Sequence, residues 1–469
     1  MLENTEPKRV FHYFEAISAI PRGSGNTKAV SDYCVRFAKE HGLEVTQDAL
    51  NNVIIKKKAS AGYENHAAVI LQGHLDMVCE KEAGLDFDFL RDGLRLRLDG
   101  DLLSAEGTTL GADDGIAVAM ILAVLEDEAL PHPPIEAVFT IDEETGMDGA
   151  EALDVSLLNG STLINLDSGE EGVLTVGCAG GAKVDMFLPL KKEKNGLGCK
   201  KITVSGLLGG HSGIDINKGR LNADRLLASL LSALPFEFRL VSINGGFKDN
   251  VIPNACECVI AANEDPAETV AAFLGDNTVS SDGGLKITVE DVETAESCFD
   301  LASTKCALDF LNALPCGVAS MSEDMDGLVQ SSSNIGILRT EDNGIICVMS
   351  VRSSVAAEKQ QLLDKIEEEA KRSGAELKTH GHYPAWEYRK NSRLRETMVD
   401  VFKKLYGKEP QVETVHAGLE CGLFSQKFEN FDAVSMGPDM WDIHTVNERL
   451  SVSSTERTYN YLCNCLKEL

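Results

Sequence analysis

The sequence predicts an α/β protein in which one sheet domain is interrupted by an inserted domain. Three observations lead to this fold class. Apolar, strand-like runs alternate with helical stretches up to about residue 182, longer alternating segments begin near Lys183, and the α/β pattern returns towards the C-terminus. We therefore predict a sheet domain built from residues 1–182 and 380–469, with an α+β domain at residues 183–379.

The first part of the sheet domain is predicted from four strands and one long helix. The helix is the apolar stretch Gly115–Leu125, and the strands are the apolar runs Val53–Ile55, Ala68–Gln72, Ile135–Ile141 and Leu163–Asp167. This order predicts a mainly parallel mixed sheet flanked by helices. Ligands of such sheets bind beyond the carboxyl ends of the strands, so polar residues directly after these runs are candidates for chemistry.

The inserted domain is predicted to begin with an exposed Lys-rich loop, Lys191–Gly198. Similar segments then recur about 85 residues apart: 200–204 resembles 285–289, 221–234 resembles 302–314, and 257–260 resembles 346–349. A tandem duplication would explain this, each half being a small sheet backed by helices. Three short matches also arise by chance among β-rich segments.

The remaining chain is predicted to be helical around one strand. After the helical stretch Ala356–Arg372, which still belongs to the inserted domain, the strand is Phe431–Met436 and the helices are Leu394–Tyr406 and Ser454–Leu469. This pattern of strand and helices indicates a second part of the first sheet domain, so the middle region is an insertion between the two parts.

Composition excludes several classes of protein. The 469 residues carry 44 basic and 74 acidic side chains, a formal charge of −30, which argues against nucleic acid and anionic membranes as partners. No apolar run approaches the roughly 20 residues of a membrane span, and the segment 1–9 is charged rather than signal-like. The thirteen cysteines are scattered, with no Cys-x-x-Cys pair. These features predict a soluble cytoplasmic protein with reduced, mostly buried thiols.

Three motifs follow apolar runs or open a helix. His74 and Asp76 end a strand and share one side of it, so one can bind a metal while the other orients its imidazole. The pair Asp113-Asp114 opens the long helix, where helix capping is an alternative explanation. The three consecutive acids 142–144 end a strand, and like charges packed there are destabilising unless a cation lies between them.

Two further residues complete the set: Asp167 ends an apolar strand and His444 follows the run Phe431–Met436. The combined donors are imidazoles and carboxylates without a thiolate. That chemistry suits a hydrolytic Zn, Mn or Co centre better than a structural zinc site.

Together these motifs resemble a known family. Gly-His-Leu-Asp-Met-Val, Gly-Ala-Asp-Asp-Gly, Asp-Glu-Glu-Thr-Gly, Asn-Leu-Asp-Ser, Gly-Gly-His-Ser-Gly and His-Ala-Gly-Leu-Glu-Cys-Gly resemble the co-catalytic metallopeptidases of the M20 family, most closely its aminoacyl-histidine dipeptidases. The matches extend from Gly73 to His444. The resemblance implies metal-dependent hydrolysis of dipeptides, of Xaa-His type or broader, by water activated between two divalent ions, zinc first and manganese or cobalt as alternatives.

The resemblance also implies the metal ligands. Asp113 would bridge the two ions, with His74 and Asp167 completing one site and Glu144 and His444 the other. The choice of Asp113 over its neighbour rests on the motif alignment alone.

The resemblance assigns further roles near the metals. Glu143 would be the general base and Asp76 would orient His74, and the peptide bond after Asp113 is expected to be cis. The family commonly has a lysine where this sequence has Gly115, a position that the dipeptidase branch tolerates.

The inserted domain would act as a lid that carries His211, whose implied role is to stabilise the tetrahedral oxyanion. We expect this histidine on a mobile loop. Asn250 and Arg352 resemble substrate clamps, and a guanidinium grips a free carboxylate well. Pairing of Arg352 to a surface acid is the alternative. His416 and Glu420 are expected near the substrate amino end or behind the metal ligands.

Alternative functions remain at this stage. An aminoacylase, a tripeptidase or another amidohydrolase of the family would share the metal centre, and a catalytically silent protein would use the acidic cleft only to hold metal or peptide. The presence of Glu143 and all five ligands favours an enzyme. The resemblance also implies a homodimer with a hinged lid, because His211 lies in the first of the two similar halves, the position of the trans-acting histidine in dimeric relatives. The second half would either take the place of a neighbouring subunit's lid or enlarge the dimer interface.

Overall fold

The computed structural model of the protein describes residues 2–277, 282–323, 325 and 327–469. These form two compact units. Unit 1 comprises Met1–Gly177, Tyr388–Thr414 and Leu419–Leu469, and unit 2 comprises Cys178–Glu387 and Val415–Gly418. The sequence placed the divisions at 182/183 and 379/380, whereas the units divide a few residues outside both, because strands of the second unit extend across those points.

The α-helices of the described residues, in chain order, are α1 (Lys8–Ser18), α2 (Lys28–Glu40), α3 (Ala112–Glu126), α4 (Glu143–Gly146), α5 (Asp148–Ala152), α6 (Ala223–Ser232), α7 (Ala267–Asp276), α8 (Leu301–Ala313), α9 (Ala356–Ser373), α10 (Arg393–Tyr406), α11 (Glu420–Lys427) and α12 (Val452–Glu468).

The strands are β1 (Glu44–Gln47), β2 (Val53–Lys57), β3 (Val69–His74), β4 (Leu96–Asp99), β5 (Leu102–Ala105), β6 (Ile135–Thr140), β7 (Thr162–Asn165), β8 (Val173–Cys178), β9 (Gly180–Pro189), β10 (Lys192–Lys194), β11 (Cys199–Ser205), β12 (Gly210–His211), β13 (Arg239–Gly245), β14 (Val251–Ile252), β15 (Cys256–Ala261), β16 (Lys286–Val292), β17 (Ser297–Phe299), β18 (Gly317–Met321), β19 (Val329–Glu341), β20 (Gly344–Ser353), β21 (Glu376–Tyr383), β22 (Gln411–Val415), β23 (Asp432–Ser435), β24 (Met440–Trp441) and β25 (Arg449–Ser451).

The first unit is built on a mixed sheet in the order β1-β2-β6-β3-β7-β23-β8-β22. The pairs β6-β3, β3-β7 and β7-β23 are parallel, while β1-β2, β2-β6 and β23-β8 are antiparallel. The predicted mixed sheet flanked by helices is thus confirmed, with its parallel strands at the centre. Their carboxyl ends lie at one edge, where the candidate ligands follow.

The central elements are buried all round because both faces of the sheet are covered. All six residues of β3 and of β6 are buried, as expected of strands between two helical layers. Helix α3 is buried from Gly115 to Leu125, which matches the predicted apolar helix. Asp113 and Asp114 precede its regular part with non-helical backbone angles.

The main sheet of the second unit has nine strands, in the order β16-β11-β15-β13-β19-β20-β9-β21 with β18 paired to β19, and two small two-stranded sheets, β10-β17 and β12-β14, accompany it. The expectation of a separate small sheet in each half is wrong, because the repeated segments in β11 and β16 pair directly with each other. One core underlies the sheet, α6, α8 and α9. The duplication itself stays a prediction.

The connection 191–198 is exposed at its start, as predicted, but it is not wholly a loop. Strand β10 within it pairs antiparallel with β17, residue 192 facing 299. No helix within the described ranges combines the length and the apolar composition that a membrane crossing needs. All thirteen cysteines fall within those ranges, none of them forms a disulfide there, and most are buried.

Candidate metal centre

The carboxylate of Asp113 faces two histidines with its two oxygens. Oδ1 lies 3.1 Å from Nε2 of His74, and Oδ2 lies 3.1 Å from Nε2 of His444. The same His444 nitrogen lies 2.9 Å from Oε2 of Glu144. One carboxylate therefore joins donors that come from the end of β3 and from the segment after β24.

Two groups of donor atoms come together around His74. In one group the ligand atoms of His74, Asp113 and Glu144 lie within 4.8 Å of one another, and in the other those of His74, Asp114 and Asp167 do. The structure thus brings all five predicted ligands into one cluster and adds Asp114 to it.

The two neighbouring aspartates differ in what they face. Oδ2 of Asp114 accepts the backbone N–H of His74 at 3.1 Å, whereas both oxygens of Asp113 face imidazole nitrogens. This difference supports Asp113 as the bridging carboxylate. The peptide bond between the two is cis, which confirms that expectation.

Asp76 connects His74 to the acidic turn that follows β6. Its Oδ1 lies 3.2 Å from Nδ1 of His74 and also accepts the N–H of Glu143 at 3.1 Å. Its Oδ2 accepts the N–H of Glu144 at 3.3 Å and the hydroxyl of Ser24 at 2.8 Å. A carboxylate on the far nitrogen fixes the imidazole tautomer and leaves Nε2 free to bind a cation.

Glu143 and Glu144 begin α4, directly after Asp142, which has a positive φ of 55°. The Glu144 side chain is 6% exposed, and its Oε1 has no hydrogen-bond partner among the described residues. Glu143 belongs to neither donor group. The two adjacent acids therefore have different surroundings, one among the ligands and one beside them.

Charge compensation within the cluster appears in the pKa values. Hydrogen bonds that His444 donates to the carboxylates of Asp113 and Glu144 raise the pKa of this histidine to about 10. Burial alone would raise the pKa of Asp113, but its bonds from His444 and His74 lower it. Burial, with the charges of Asp113 and Asp114, raises the pKa of Asp167 well above its usual value.

Burial is also the main influence on the proton affinity of Glu143. It raises the pKa of this carboxyl to about 8, and the charges of Glu420 and Asp113 add to the effect while His74 opposes it.

The cluster fits a site for divalent cations, because like charges are packed closely in it and one buried carboxylate oxygen of Glu144 has no partner among the described residues. Oxygen and imidazole donors without thiolates suit Zn, Mn or Co.

A buried polar layer that the sequence did not reveal lies beneath the ligands. Glu420 is fully buried and accepts the amide of Gln72 at 2.5 Å and the hydroxyl of Thr140 at 2.7 Å. The Gln72 oxygen accepts the amide of Asn165 at 2.6 Å, and the hydroxyl of Ser435 bonds that residue's oxygen. This burial favours a position for Glu420 behind the metal ligands over one at the substrate amino end.

Glu448 is a second residue that the motifs missed. Its carboxylate is 2% exposed and accepts the backbone N–H groups of residues 110–113 at 2.8 to 3.4 Å. It therefore holds the segment that presents Asp113. The only sequence signal was its place four residues after His444, because bonds to backbone leave no motif.

His211 belongs to the second unit and lies on β12, which pairs with β14, so its expected loop location is wrong. Its Nδ1 accepts the N–H groups of Gly213 at 3.2 Å and Ile214 at 3.1 Å. A neutral His211 therefore carries its proton on Nε2. Burial and the positive charge of Arg352 lower its pKa, which favours that neutral form.

Arg352, also in the second unit, is 8% exposed, and its Nη1 donates to the hydroxyl of Tyr383 at 2.8 Å. No carboxylate pairs with it among the side chains that the structure describes, which removes the surface-pair alternative. Ser332 stands opposite it on β19 and lies 2.7 Å from Nε2 of His416. Burial, then the Arg352 charge, lowers the pKa of His416 to about 4.

Asn250, the other predicted clamp, is exposed at the turn before β14. Its backbone oxygen accepts the N–H of Ser212 at 2.9 Å, which ties it to the segment that carries His211. The second unit thus places Arg352 close enough to lower the pKa of both His211 and His416, with Asn250 bonded to the segment that carries His211.

The parallel strands with carboxylate and imidazole donors at their carboxyl ends define the class of the protein, a metal-dependent hydrolase. The particular family follows from comparison: residues 70–468 match the model of peptidase family M20/M25/M40, and the chain belongs to that family.

Two full-length relatives support this membership. The chain is 35% identical over 479 aligned positions to the cytosol non-specific dipeptidase of Escherichia coli K12, covering 100% of this chain and 99% of the relative. It is 34% identical to the crystal structure of aminoacylhistidine dipeptidase from Vibrio alginolyticus, with a TM-score of 0.94 and coverage of 100% and 98%.

A more distant structure shares the fold alone. Aminopeptidase PepT from Bacillus cereus ATCC 10987 superposes with a TM-score of 0.59 at 16% identity, covering 99% of both chains. The family predicted from the motifs and the mixed α/β architecture predicted from the apolar pattern are confirmed.

Proposed function

We propose that the protein is a dipeptidase that uses two divalent metal ions and accepts a range of dipeptides, Xaa-His among them. The observation that most directly supports this proposal is that Asp113 faces His74 with one carboxylate oxygen and His444 with the other. Two full-length relatives named as dipeptidases, one non-specific and one for aminoacylhistidines, support the substrate class.

The residues fit two ions that share Asp113, one also held by His74 and Asp167 and the other by Glu144 and His444. When bound, such a pair of ions polarises the scissile carbonyl and lowers the pKa of a bound water towards neutrality. We propose zinc as the native metal, with manganese or cobalt as substitutes, because the donors are imidazole and carboxylate.

Glu143 is the proposed general base. It lies beside the donor groups without belonging to either. The positive charge of bound cations would offset the burial that raises its pKa, so its carboxylate would take a proton from the attacking water and deliver it to the leaving amine. The carboxylate of Asp76 accepts the backbone N–H of Glu143 and also contacts the imidazole of His74. It thereby fixes the position of the proposed base relative to the proposed metal ligand.

Substrate recognition is assigned to the second unit. Arg352 is buried and free of an acidic partner among the described side chains, which suits a guanidinium that receives the C-terminal carboxylate of a dipeptide. Asn250 would hold the substrate backbone, and His416, fixed by Ser332, would line the same pocket. His211, with its proton on Nε2, would donate to the developing oxyanion.

Two further proposals concern the state of the protein in the cell. We place it in the cytoplasm, supported by the E. coli relative that carries "cytosol" in its name. We also propose a homodimer, for which the large inserted unit would supply the contact.

A substrate panel tests the proposed function. Metal-free protein is incubated with dipeptides, tripeptides and N-acyl amino acids while Zn²⁺, Mn²⁺ or Co²⁺ is restored one at a time. We expect dipeptide cleavage that depends on metal and disappears in Glu143→Gln. Cleavage of N-acyl amino acids or tripeptides alone would replace the dipeptidase by an aminoacylase or a tripeptidase, and metal binding without any cleavage would indicate a binding protein.

A further inference from the structure

Arg22 is a charged side chain at the heart of the first unit with no assigned role. It is 2% exposed, and it is among the largest fully buried side chains of the described residues. Its Nη1 donates to the carbonyl oxygens of Leu75 at 3.0 Å and Asp76 at 2.9 Å, and its Nη2 donates to that of Gly111. One planar guanidinium thus binds three carbonyls on two separate segments.

Those two segments carry metal ligands. Leu75 directly follows His74, and Gly111 lies two residues before Asp113, which faces that histidine at 3.1 Å. The guanidinium of an arginine is a rigid plane, so its bonds to both backbones fix the distance between the two segments. The ammonium group of a lysine is a single point charge and would not fix that distance. Movement of Arg22 would therefore change the distance between two donors of the cluster.

The glycines around Arg22 leave room for its guanidinium. A Cβ on Gly115 would stand 2.4 Å from Nη2 and 3.2 Å from Cζ, and one on Gly111, whose φ is +63°, would stand 2.6 Å from Nη2. The guanidinium therefore occupies the space into which a side chain at position 115 would extend from α3. Gly115 also donates its N–H to the same Gly111 carbonyl, at 3.2 Å.

The surrounding charges are acidic. Burial lowers the pKa of Arg22, while the carboxylates of Glu448, Asp76, Asp114 and Asp113 act in the opposite direction and favour its charged form. On the other side of the 110–113 segment, Glu448 accepts the backbone N–H groups. The segment that presents Asp113 is consequently held between a buried cation on its carbonyl side and a buried anion on its amide side.

We propose that Arg22 is a positioning residue of the metal centre, which sets the spacing of His74 and Asp113 through three carbonyl bonds and for which Gly115 provides the space. The inference rests on the proposed function for the identity of the centre. It predicts that loss of Arg22 weakens metal binding first and changes catalysis only as a consequence.

The test measures zinc affinity by competition with a chelator, on full-length Arg22→Met, Arg22→Lys and wild type. Loss of a residue that orients metal ligands typically costs about 10- to 100-fold in affinity. We expect that loss in Arg22→Met, an intermediate loss in Arg22→Lys, and a lower kcat with KM for a dipeptide within about twofold of wild type. Arg9→Met is the matched control, since this arginine pairs with Asp127 at the other end of α3 and is half-exposed.

A second variant perturbs the same contact from the opposite side. Gly115→Ala must displace the guanidinium and should weaken zinc binding, whereas Gly275→Ala, a helical glycine with open space around it, should not. Wild-type zinc affinity in Arg22→Lys or Arg22→Met, or an equal loss in Arg9→Met, would overturn the inference. If Arg22→Met does not fold, Arg22→Lys decides. A wild-type protein that binds none of zinc, manganese and cobalt would instead refute the proposed function along with it.

Discussion

Nε2 of His444 lies 3.1 Å from Oδ2 of Asp113, although 331 residues separate them in the chain. The other oxygen of Asp113 lies as close to His74. A site assembled from such distant segments depends on the closed fold of the first unit. In the proposed assignment both ions share the Asp113 carboxylate, so its loss should affect both metal sites.

Asp113→Asn should therefore lose both ions, and His444→Ala only one. Losing metal assistance worth several kcal/mol lowers kcat/KM by about 10³-fold or more. Elemental analysis after gel filtration measures the bound metal. Asp442→Asn is the control, because this half-exposed carboxylate lies close in sequence to His444 but pairs with Arg449. Full retention of two ions in Asp113→Asn would contradict its bridging role.

The neighbouring glutamates should separate chemistry from metal binding. Glu143→Gln should lower kcat by about 10²- to 10⁴-fold while two ions stay bound, since loss of general acid–base help has that size. Glu144→Gln should lose an ion, because its carboxylate contacts His444 at 2.9 Å. Metal content and kcat are measured on both variants. Metal loss in Glu143→Gln would mean that the two roles are exchanged.

The sequence was most informative where a functional residue directly follows an apolar strand. His74 ends β3 and Asp167 comes two residues after β7, so strand pattern and motif together placed both at the same edge. Arg22 and Glu448 left no such signal, because each acts through backbone carbonyls or amides whose positions only the fold determines.

The second unit shows where sequence pattern alone is insufficient. The similar segments in β11 and β16 indicated separate small sheets, yet they pair with each other, because an exposed strand edge in one half is satisfied by the other. His211 was expected on a loop, but two residues of pairing with β14 are too short to recognise from alternation. The first error concerns which strands pair, and the second concerns an element too short to predict.

Arg352 should determine the requirement for a free substrate carboxylate. Wild type should cleave a dipeptide far faster than its C-terminal amide, and Arg352→Met should lose most of that preference. A hydrogen bond to a charged group is worth about 1.5 to 3 kcal/mol, or roughly 10- to 150-fold. The ratio of kcat/KM for acid and amide measures it.

Arg352→Lys serves as the charge-matched control for this prediction and should recover part of the preference, because a lysine lacks the two-pronged geometry. An unchanged acid-to-amide ratio in Arg352→Met would show that another group binds the carboxylate. Tyr383→Phe, which removes the hydroxyl that Arg352 donates to, should have a smaller effect in the same direction.

A buried carboxyl in the second unit should make its stability depend on pH. Asp224 on α6 is fully buried, and burial raises its pKa to about 7 although the Cys256 thiol partly offsets this. Its titratable neighbours are the thiols of Cys256, Cys316 and Cys347, whose pKa values are raised by burial, so they stay neutral.

The pKa of Asp224 in the folded state lies above the usual 3.8, so the folded state binds this proton more tightly than the unfolded state does. Protonation of Asp224 therefore stabilises the fold at low pH, and this stabilisation is lost as the pH rises through about 7. Between pH 5 and pH 8 wild type should lose roughly 2 to 3 kcal/mol that Asp224→Asn does not lose. Melting temperatures of both proteins are compared across this range. Asp342→Asn, whose side chain is fully exposed in the same unit, should follow wild type. Parallel pH curves for Asp224→Asn and wild type would contradict the prediction.

Subunit exchange tests both the proposed homodimer and the way in which His211 acts. An inactive Glu143→Gln protein is mixed with an inactive His211→Ala protein under conditions that allow exchange. If each active site takes its histidine from the partner, a hybrid dimer has one competent site. Random pairing then restores up to about a quarter of wild-type activity. If each chain uses its own His211, both sites of the hybrid lack a residue and no activity returns, provided that mass spectrometry confirms the hybrids. A protein that stays monomeric at micromolar concentration would contradict the dimer itself.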